Sequence, residues 1–218
     1  MKISVADAVR YLGAGEGNAE TQQLTAEIAA ELEKTIQPRY TWRAFRTGHR
    51  ADGVFLEEAG ETLTGKLAKN MLAECDTAVV ILCTLGAAFE AMQRAQEARD
   101  MARAVVLDAC GSAWVEAGCD AAEEEIAARF PQMYRTDRFS PGYGDLPLEC
   151  QGWILRELNA GRRLGVTENA SHLLIPAKSV TAVIGLSDQP QGAKIRGCAY
   201  CALREGCTYR ERGTRCGT

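Results

Sequence analysis

The 218-residue sequence predicts an α+β fold: long helices with a mainly antiparallel twisted sheet. Three observations carry this reading. Residues 87–130 consist almost entirely of good helix formers. Asp76–Thr84 (DTAVVILCT) and 179–187 (SVTAVIGLS) are short, apolar, β-branched runs of the kind that form buried strands. Strands and helices do not alternate in a repeating unit, and no glycine-rich nucleotide fingerprint follows the first strand. A doubly wound α/β fold is therefore set aside.

In chain order, residues 4–12 form a short helix, with Val5, Ala8, Val9 and Leu12 at helical spacing. The glycine-rich stretch Gly13–Asn18 breaks it. Residues 19–36 form a second helix with Leu24, Ile28, Leu32 and Ile36 at i, i+4 spacing, and Pro38 ends it. Residues 39–46 are rich in aromatics and strand formers, and residues 53–57 pair with them after a turn. Thr64 is placed as the cap of a helix reaching Ala73. Residues 87–130 divide into two helices, with the break at Ala104–Val106 or at Gly111. Tyr134–Leu148 is a loop, and residues 149–160 return to helix. The domain is expected to span residues 1–192, its N-terminal helical part about 1–37, followed by a cysteine-rich tail, 193–218.

Composition bounds function. The apolar fraction is 46% and the charged fraction 25%, which suits a packed globular core. A net charge of −4 argues against a general binder of nucleic acid. No run approaches the ~20 apolar residues needed to span a bilayer. The N-terminus lacks the apolar core of a signal peptide, so the expected compartment is the cytoplasm and no membrane partner is expected. Cys75, Cys83, Cys110, Cys119 and Cys150 are scattered through apolar stretches and read as packing residues. His172 reads as structural, and no nucleophilic triad is present.

The strongest motif is Arg138-Phe-Ser-Pro-Gly-Tyr143. Arginine offers a planar fork matched to a carboxylate. Proline and glycine set a tight turn that lets backbone groups approach a ligand. Tyrosine adds an aromatic face and a hydroxyl. On its own, the segment reads more readily as a plain surface turn.

Two further segments follow in order: Leu164-Gly-Val-Thr-Glu168 and Ile175-Pro-Ala-Lys-Ser-Val180. Together the three resemble the R-x-x-P-G-Y, L-T-E-S and P-x-x-S-V segments of the S-adenosylmethionine-binding activation domain of vitamin B12-dependent methionine synthase. The match is clear over residues 105–190. Pro38-Arg-Tyr40, Thr84-Leu-Gly86 and Asp108 with Glu116 are similar to free-standing bacterial relatives of that domain.

The resemblance implies that Arg138, Gly142 and Tyr143 contact S-adenosylmethionine, helped by backbone groups of Ser140 or Pro141. It also implies acidic contacts. Glu116 is the best helix candidate, and Asp108, eight residues earlier, can share its face. The family's N-terminal Asp motif is not recognisable here. Glu168 and Thr167 face the site or the cobalamin partner, or Glu168 caps a turn. The implied function is an activation subunit of a cobalamin-dependent methyltransferase. It would bind S-adenosylmethionine and support reductive remethylation of cob(II)alamin on a methionine synthase that lacks its own activation domain. An electron donor is a further implied partner.

Cys198, Cys201, Cys207 and Cys216 crowd into the last 21 residues as C-x2-C-x5-C-x8-C. Four thiolates suit an iron–sulfur cluster or zinc, and thiol–disulfide chemistry or no metal at all stays open. Three alternative functions follow: a binding module for S-adenosylmethionine or a corrinoid protein in another methyl-transfer pathway, an iron–sulfur electron-transfer accessory, and a zinc-stabilised scaffold.

Overall fold

A computed structural model describes residues 1–13 and 18–192. The tail and its four cysteines, Cys198, Cys201, Cys207 and Cys216, lie outside the described residues. The elements are α1 (Val5–Tyr11), α2 (Ala19–Thr35), β1 (Arg39–His49), β2 (Gly53–Leu56), β3 (Glu61–Thr64), α3 (Lys66–Met71), β4 (Thr77–Thr84), α4 (Gly86–Glu97), α5 (Met101–Arg129), β5 (Tyr134–Arg135), α6 (Cys150–Glu157), α7 (Ala160–Leu164), β6 (Thr167–Glu168), β7 (Leu174–Ile175) and β8 (Ser179–Ser187). One open sheet has the order β3-β2-β1-β4-β8-β5, and β6-β7 forms a separate hairpin. The β1-β2, β2-β3, β5-β8 and β6-β7 pairs are antiparallel. This is the predicted α+β class.

The chain divides into two compact units. One comprises Met1–Trp42, Ile81–Arg129 and Gln151–Thr181. Its centre is α5, 29 residues long and about 43 Å at 1.5 Å per residue. The middle of α5 is buried on nearly every side: Val106, Leu107, Cys110, Ala113, Trp114, Val115 and Cys119 all belong to one core. Ile28 and Leu32 of α2, Ala8 of α1 and Phe89 of α4 join that core. Trp114 is 1% exposed, and its indole N–H donates to the Ile36 carbonyl at 2.7 Å. That bond satisfies both the ring N–H and the carbonyl of the residue that ends α2. Close packing needs two small residues: a Cβ on Gly111 would lie 2.3 Å from the Phe89 ring, and one on Gly118 2.6 Å from Pro38.

The other unit comprises Arg43–Val80, Phe130–Cys150 and the described chain from Ala182 on. Here β2 and β3 form a hairpin, Gly53 opposite Thr64 and Leu56 opposite Glu61. Leu56, Leu63, Ala68 and Leu72 are buried. The inner strands β4 and β8 are buried along almost their whole length, as their unbroken apolar runs predict.

Four boundaries differ from the sequence reading. Thr64 is the last residue of β3 and caps nothing; α3 is capped from afar by Asp145. The long helical stretch breaks at 98–100, before Ala104, because the Asp100 carboxylate accepts the Arg103 N–H and restarts the helix. The stretch 134–148 is loop only in part, since Tyr134 and Arg135 pair with Ser187 and Leu186. The helix of 149–160 ends at Glu157, and Asn159, with φ of 50°, turns the chain into α7. The five scattered cysteines are all buried, as expected of packing residues. Burial pushes the Cys75 and Cys110 thiols up to about 12, which keeps them protonated and unreactive.

Candidate functional site

The segment leading into the Arg138 turn is laid along the edge of β8. After the β5 pairs, Thr136 grips Gly185 twice: its N–H donates to the Gly185 carbonyl at 3.0 Å, and its hydroxyl accepts the Gly185 N–H at 2.9 Å. Gly185 permits this approach, since a Cβ there would lie 2.4 Å from Cys75 Sγ and 3.0 Å from Thr136. Phe139, fully buried, then exchanges both backbone bonds with Val183, at 3.0 and 2.7 Å. Arg138 stands one residue before that anchor and is 8% exposed. A guanidinium buried to this degree is a fixed cation, not a solvated surface charge.

The chain then turns sharply. The Tyr143 N–H donates to the Ser140 carbonyl at 3.0 Å, with Pro141 and Gly142 as the central pair. Gly142 has φ of +88°, the conformation a type II turn demands at that position. Gly142 N–H donates to the Leu146 carbonyl and Leu146 N–H to the Tyr143 carbonyl, each at 2.9 Å, so a second small loop closes on the first. Pro141 and Leu146 are buried, whereas Tyr143 is 54% exposed. The Gly142 and Tyr143 amides are spent on internal bonds. What the turn presents outward is therefore the tyrosine ring, not a cradle of backbone amides.

Glu116 and Glu168 lie in the other unit, so the two acidic candidates are not on the element that carries Arg138. Glu116 is half-buried on α5. Burial first, and the Glu116 carboxylate second, push the Tyr11 phenol above its ordinary value. Tyr11 is thus an electrostatic neighbour of Glu116 that sequence reasoning missed; its only signal was an aromatic at the end of a helix. It borders a groove of about 420 Å³ lined also by Leu12, Gln93, Met101, Val105 and Asp108.

Glu168 pairs with Thr167's strand partner β7, and its carboxylate meets His172 Nδ1 at 2.9 Å. His172 has φ of 59° in the turn of this hairpin, where Asn169 Oδ1 accepts the N–H groups of Ser171 and Leu173. His172 and Glu168 therefore meet each other across this turn.

Within this unit the dispersed sequence markers converge. Arg39 donates to the Leu164 carbonyl at 2.8 Å. The Thr84 and Ser179 hydroxyls meet at 2.7 Å, and Leu85 N–H donates to the Lys178 carbonyl at 2.9 Å. Lys178 Nζ reaches Asp108 at 2.9 Å and Ser112 at 2.8 Å. Segments separated by 66 to 125 positions therefore form one bonded framework. Among the described residues no cluster of three His, Cys, Asp or Glu side chains could hold a metal ion.

No protein-family model and no curated protein sequence matches the chain. Among solved structures, the crystal structure of the MetH reactivation domain bound to AdoHcy superposes with a TM-score of 0.66 and 17% identity. The match covers 99% of this chain and 86% of that one. The fold is that of the MetH reactivation domain. A reactivation-domain fold over this much of the chain agrees with the resemblance carried by the three motifs. No described helix is long and apolar enough to cross a membrane.

Proposed function

We propose that this reactivation-domain fold binds S-adenosylmethionine at the Arg138–Tyr143 turn and acts as the activation subunit of a cobalamin-dependent methionine synthase lacking its own activation domain. On that partner's corrinoid it supports reductive remethylation of cob(II)alamin, which also requires an electron donor. The observation that carries the reading is the turn itself: a buried arginine five residues from a half-exposed tyrosine, on the fold of a domain solved with AdoHcy.

The residues fit the ligand's chemistry. Arg138 supplies a fixed fork for a carboxylate. The exposed Tyr143 ring supplies an apolar, electron-rich face suited to a cationic or aromatic group. Ser140, Pro141 and Gly142 shape the turn that holds these two apart. Glu116 and Glu168 enter the proposal as acidic contacts on the resemblance alone. The ligand brings an already activated methyl group, so the chain's contribution is placement, without an acid–base residue. On the C-x2-C-x5-C-x8-C spacing alone, the proposal adds an iron–sulfur cluster or zinc at Cys198, Cys201, Cys207 and Cys216.

Calorimetric titration of S-adenosylmethionine into the wild type, Arg138→Ala and Tyr143→Ala tests this. Micromolar binding, weakened at least about tenfold by either substitution (about 1.4 kcal/mol), is the expected result. A wild type that takes up no S-adenosylmethionine overturns the reading. Binding that neither substitution weakens places the ligand elsewhere on the fold.

A further inference from the structure

The Tyr143 loop is tied down at a point that its own sequence does not reveal. Asp145, two residues beyond Tyr143, sends its carboxylate to the start of α3: Oδ2 accepts the Lys66 N–H at 2.7 Å and Oδ1 the Leu67 N–H at 2.9 Å. Those amides belong to the first turn of a helix whose adjoining Gly65 has no side chain to cap them. One carboxylate therefore satisfies two donors that lie 78 and 79 positions away in sequence. The helix start and the loop are fitted to each other. Gly65 adopts φ of +99°, and a Cβ there would lie 2.7 Å from the Asp145 carbonyl and 2.8 Å from its Oδ1. A Cβ added at Gly144 would lie 3.5 Å from the Leu67 side chain.

Three restraints thus define where Tyr143 projects. Phe139 on Val183 fixes the entry, and the Gly142–Leu146 and Leu146–Tyr143 bonds close the ring. Asp145 fixes the tip. The first two lie within the loop and at its strand anchor; the third ties the tip to α3. We propose that Asp145 is a positioning residue: its two bonds to the first turn of α3 hold Tyr143 in the orientation that receives S-adenosylmethionine. This rests on the ligand reading given above. The backbone N–H donors favour the ionised carboxylate and hold it below its ordinary value, so the clamp is charged at neutral pH.

The test is calorimetric titration of S-adenosylmethionine into full-length wild type, Asp145→Ala, Asp145→Asn, Tyr143→Ala and the Asp145→Ala/Tyr143→Ala double variant. Circular dichroism checks that each is folded. Asp145→Ala is expected to weaken binding roughly three- to tenfold. Asp145→Asn keeps a capping oxygen, should fold as the wild type does, and should recover most of the affinity. In the Tyr143→Ala background, Asp145→Ala should add little, because the two act through one ring. Amide exchange at Lys66 and Leu67 should quicken in Asp145→Ala and stay slow in Asp145→Asn.

Unchanged affinity in Asp145→Ala overturns the positioning role while the binding reading stands. Additive losses in the double variant also overturn it, since Asp145 would then act elsewhere. A wild type that binds no S-adenosylmethionine removes the ligand reading, and this inference falls with it.

Discussion

Arg138 and Tyr143 are five residues apart and meet solvent very differently, 8% against 54% exposed. The two substitutions should therefore separate in a melting experiment. Tyr143→Ala removes a ring that packs on little and should leave Tm within about a degree of wild type, as surface changes usually do. Arg138→Ala vacates a buried site and should lower Tm, at roughly 2–4 °C for each kcal/mol lost in a chain of this size. Equal melting temperatures would mean that the arginine's burial contributes nothing to the fold. Glu33 gives a pH signature at the same scale. The Ile3 N–H at 2.7 Å, and then Lys2 at 2.9 Å, hold its carboxyl below the ordinary carboxylate value. A depressed folded value means the stabilisation is present above the unfolded value and is lost as pH falls through the folded one. Urea midpoints of the wild type should therefore drop more between neutral pH and about pH 3 than those of Glu33→Gln. Parallel acid limbs would show that Glu33 is not a titrating anchor of the N-terminus.

Among elements, α5 shows what a sequence makes legible and what it does not. Its helical character is plain from composition, because Ala, Glu, Arg, Leu and Met dominate 101–129 and no proline interrupts it. Its start is not, since Asp100 acts through a single capping bond that any Asp in such a stretch could make. β3, β5 and α7 escaped for a related reason: they run four, two and five residues, too short for a periodic pattern to show. The candidate site follows the same rule. The turn at 140–143 could be read from proline and glycine, but Asp145 could not be read as its clamp, because the amides it caps lie in α3, 78 and 79 positions away. Glycines sort in the same way. Gly118→Ala would drive a methyl to 2.5 Å from Cys83 Sγ and 2.6 Å from Pro38. Overpacking of this kind costs about 1–3 kcal/mol, to be read from urea denaturation. Gly161 in α7 faces nothing closer than the Val166 carbonyl at 3.9 Å, and its φ is not in the left-handed region. Gly161→Ala should instead stabilise by about 0.4–1 kcal/mol. The opposite signs test the packing directly; a neutral Gly118→Ala would show that Pro38 and Cys83 yield at no cost.

For the whole molecule, the question is whether the cysteine tail and the folded domain do separable work. The last described strand, β8, ends at Ser187, and Gln191 still contributes a bond, its side-chain oxygen lying 3.6 Å from Cys75 Sγ. Every contact described for the Arg138 turn is made within residues 65–185. A chain ending at Gly192 should therefore keep its S-adenosylmethionine affinity within about twofold, a difference of roughly 0.4 kcal/mol. Metal content should behave in the opposite way. Cys75, Cys83, Cys110, Cys119 and Cys150 are buried, so a bound metal should depend on Cys198, Cys201, Cys207 and Cys216. Protein purified without oxygen and assayed for iron, sulfide and zinc should hold metal when full-length and lose it on truncation. Iron with sulfide would favour a cluster able to relay the electron that reductive remethylation consumes. Zinc alone would favour a structural role. Neither metal in the full-length chain would remove the metal proposal and leave the binding proposal untouched. Loss of S-adenosylmethionine binding on truncation would instead make the tail part of the binding machinery.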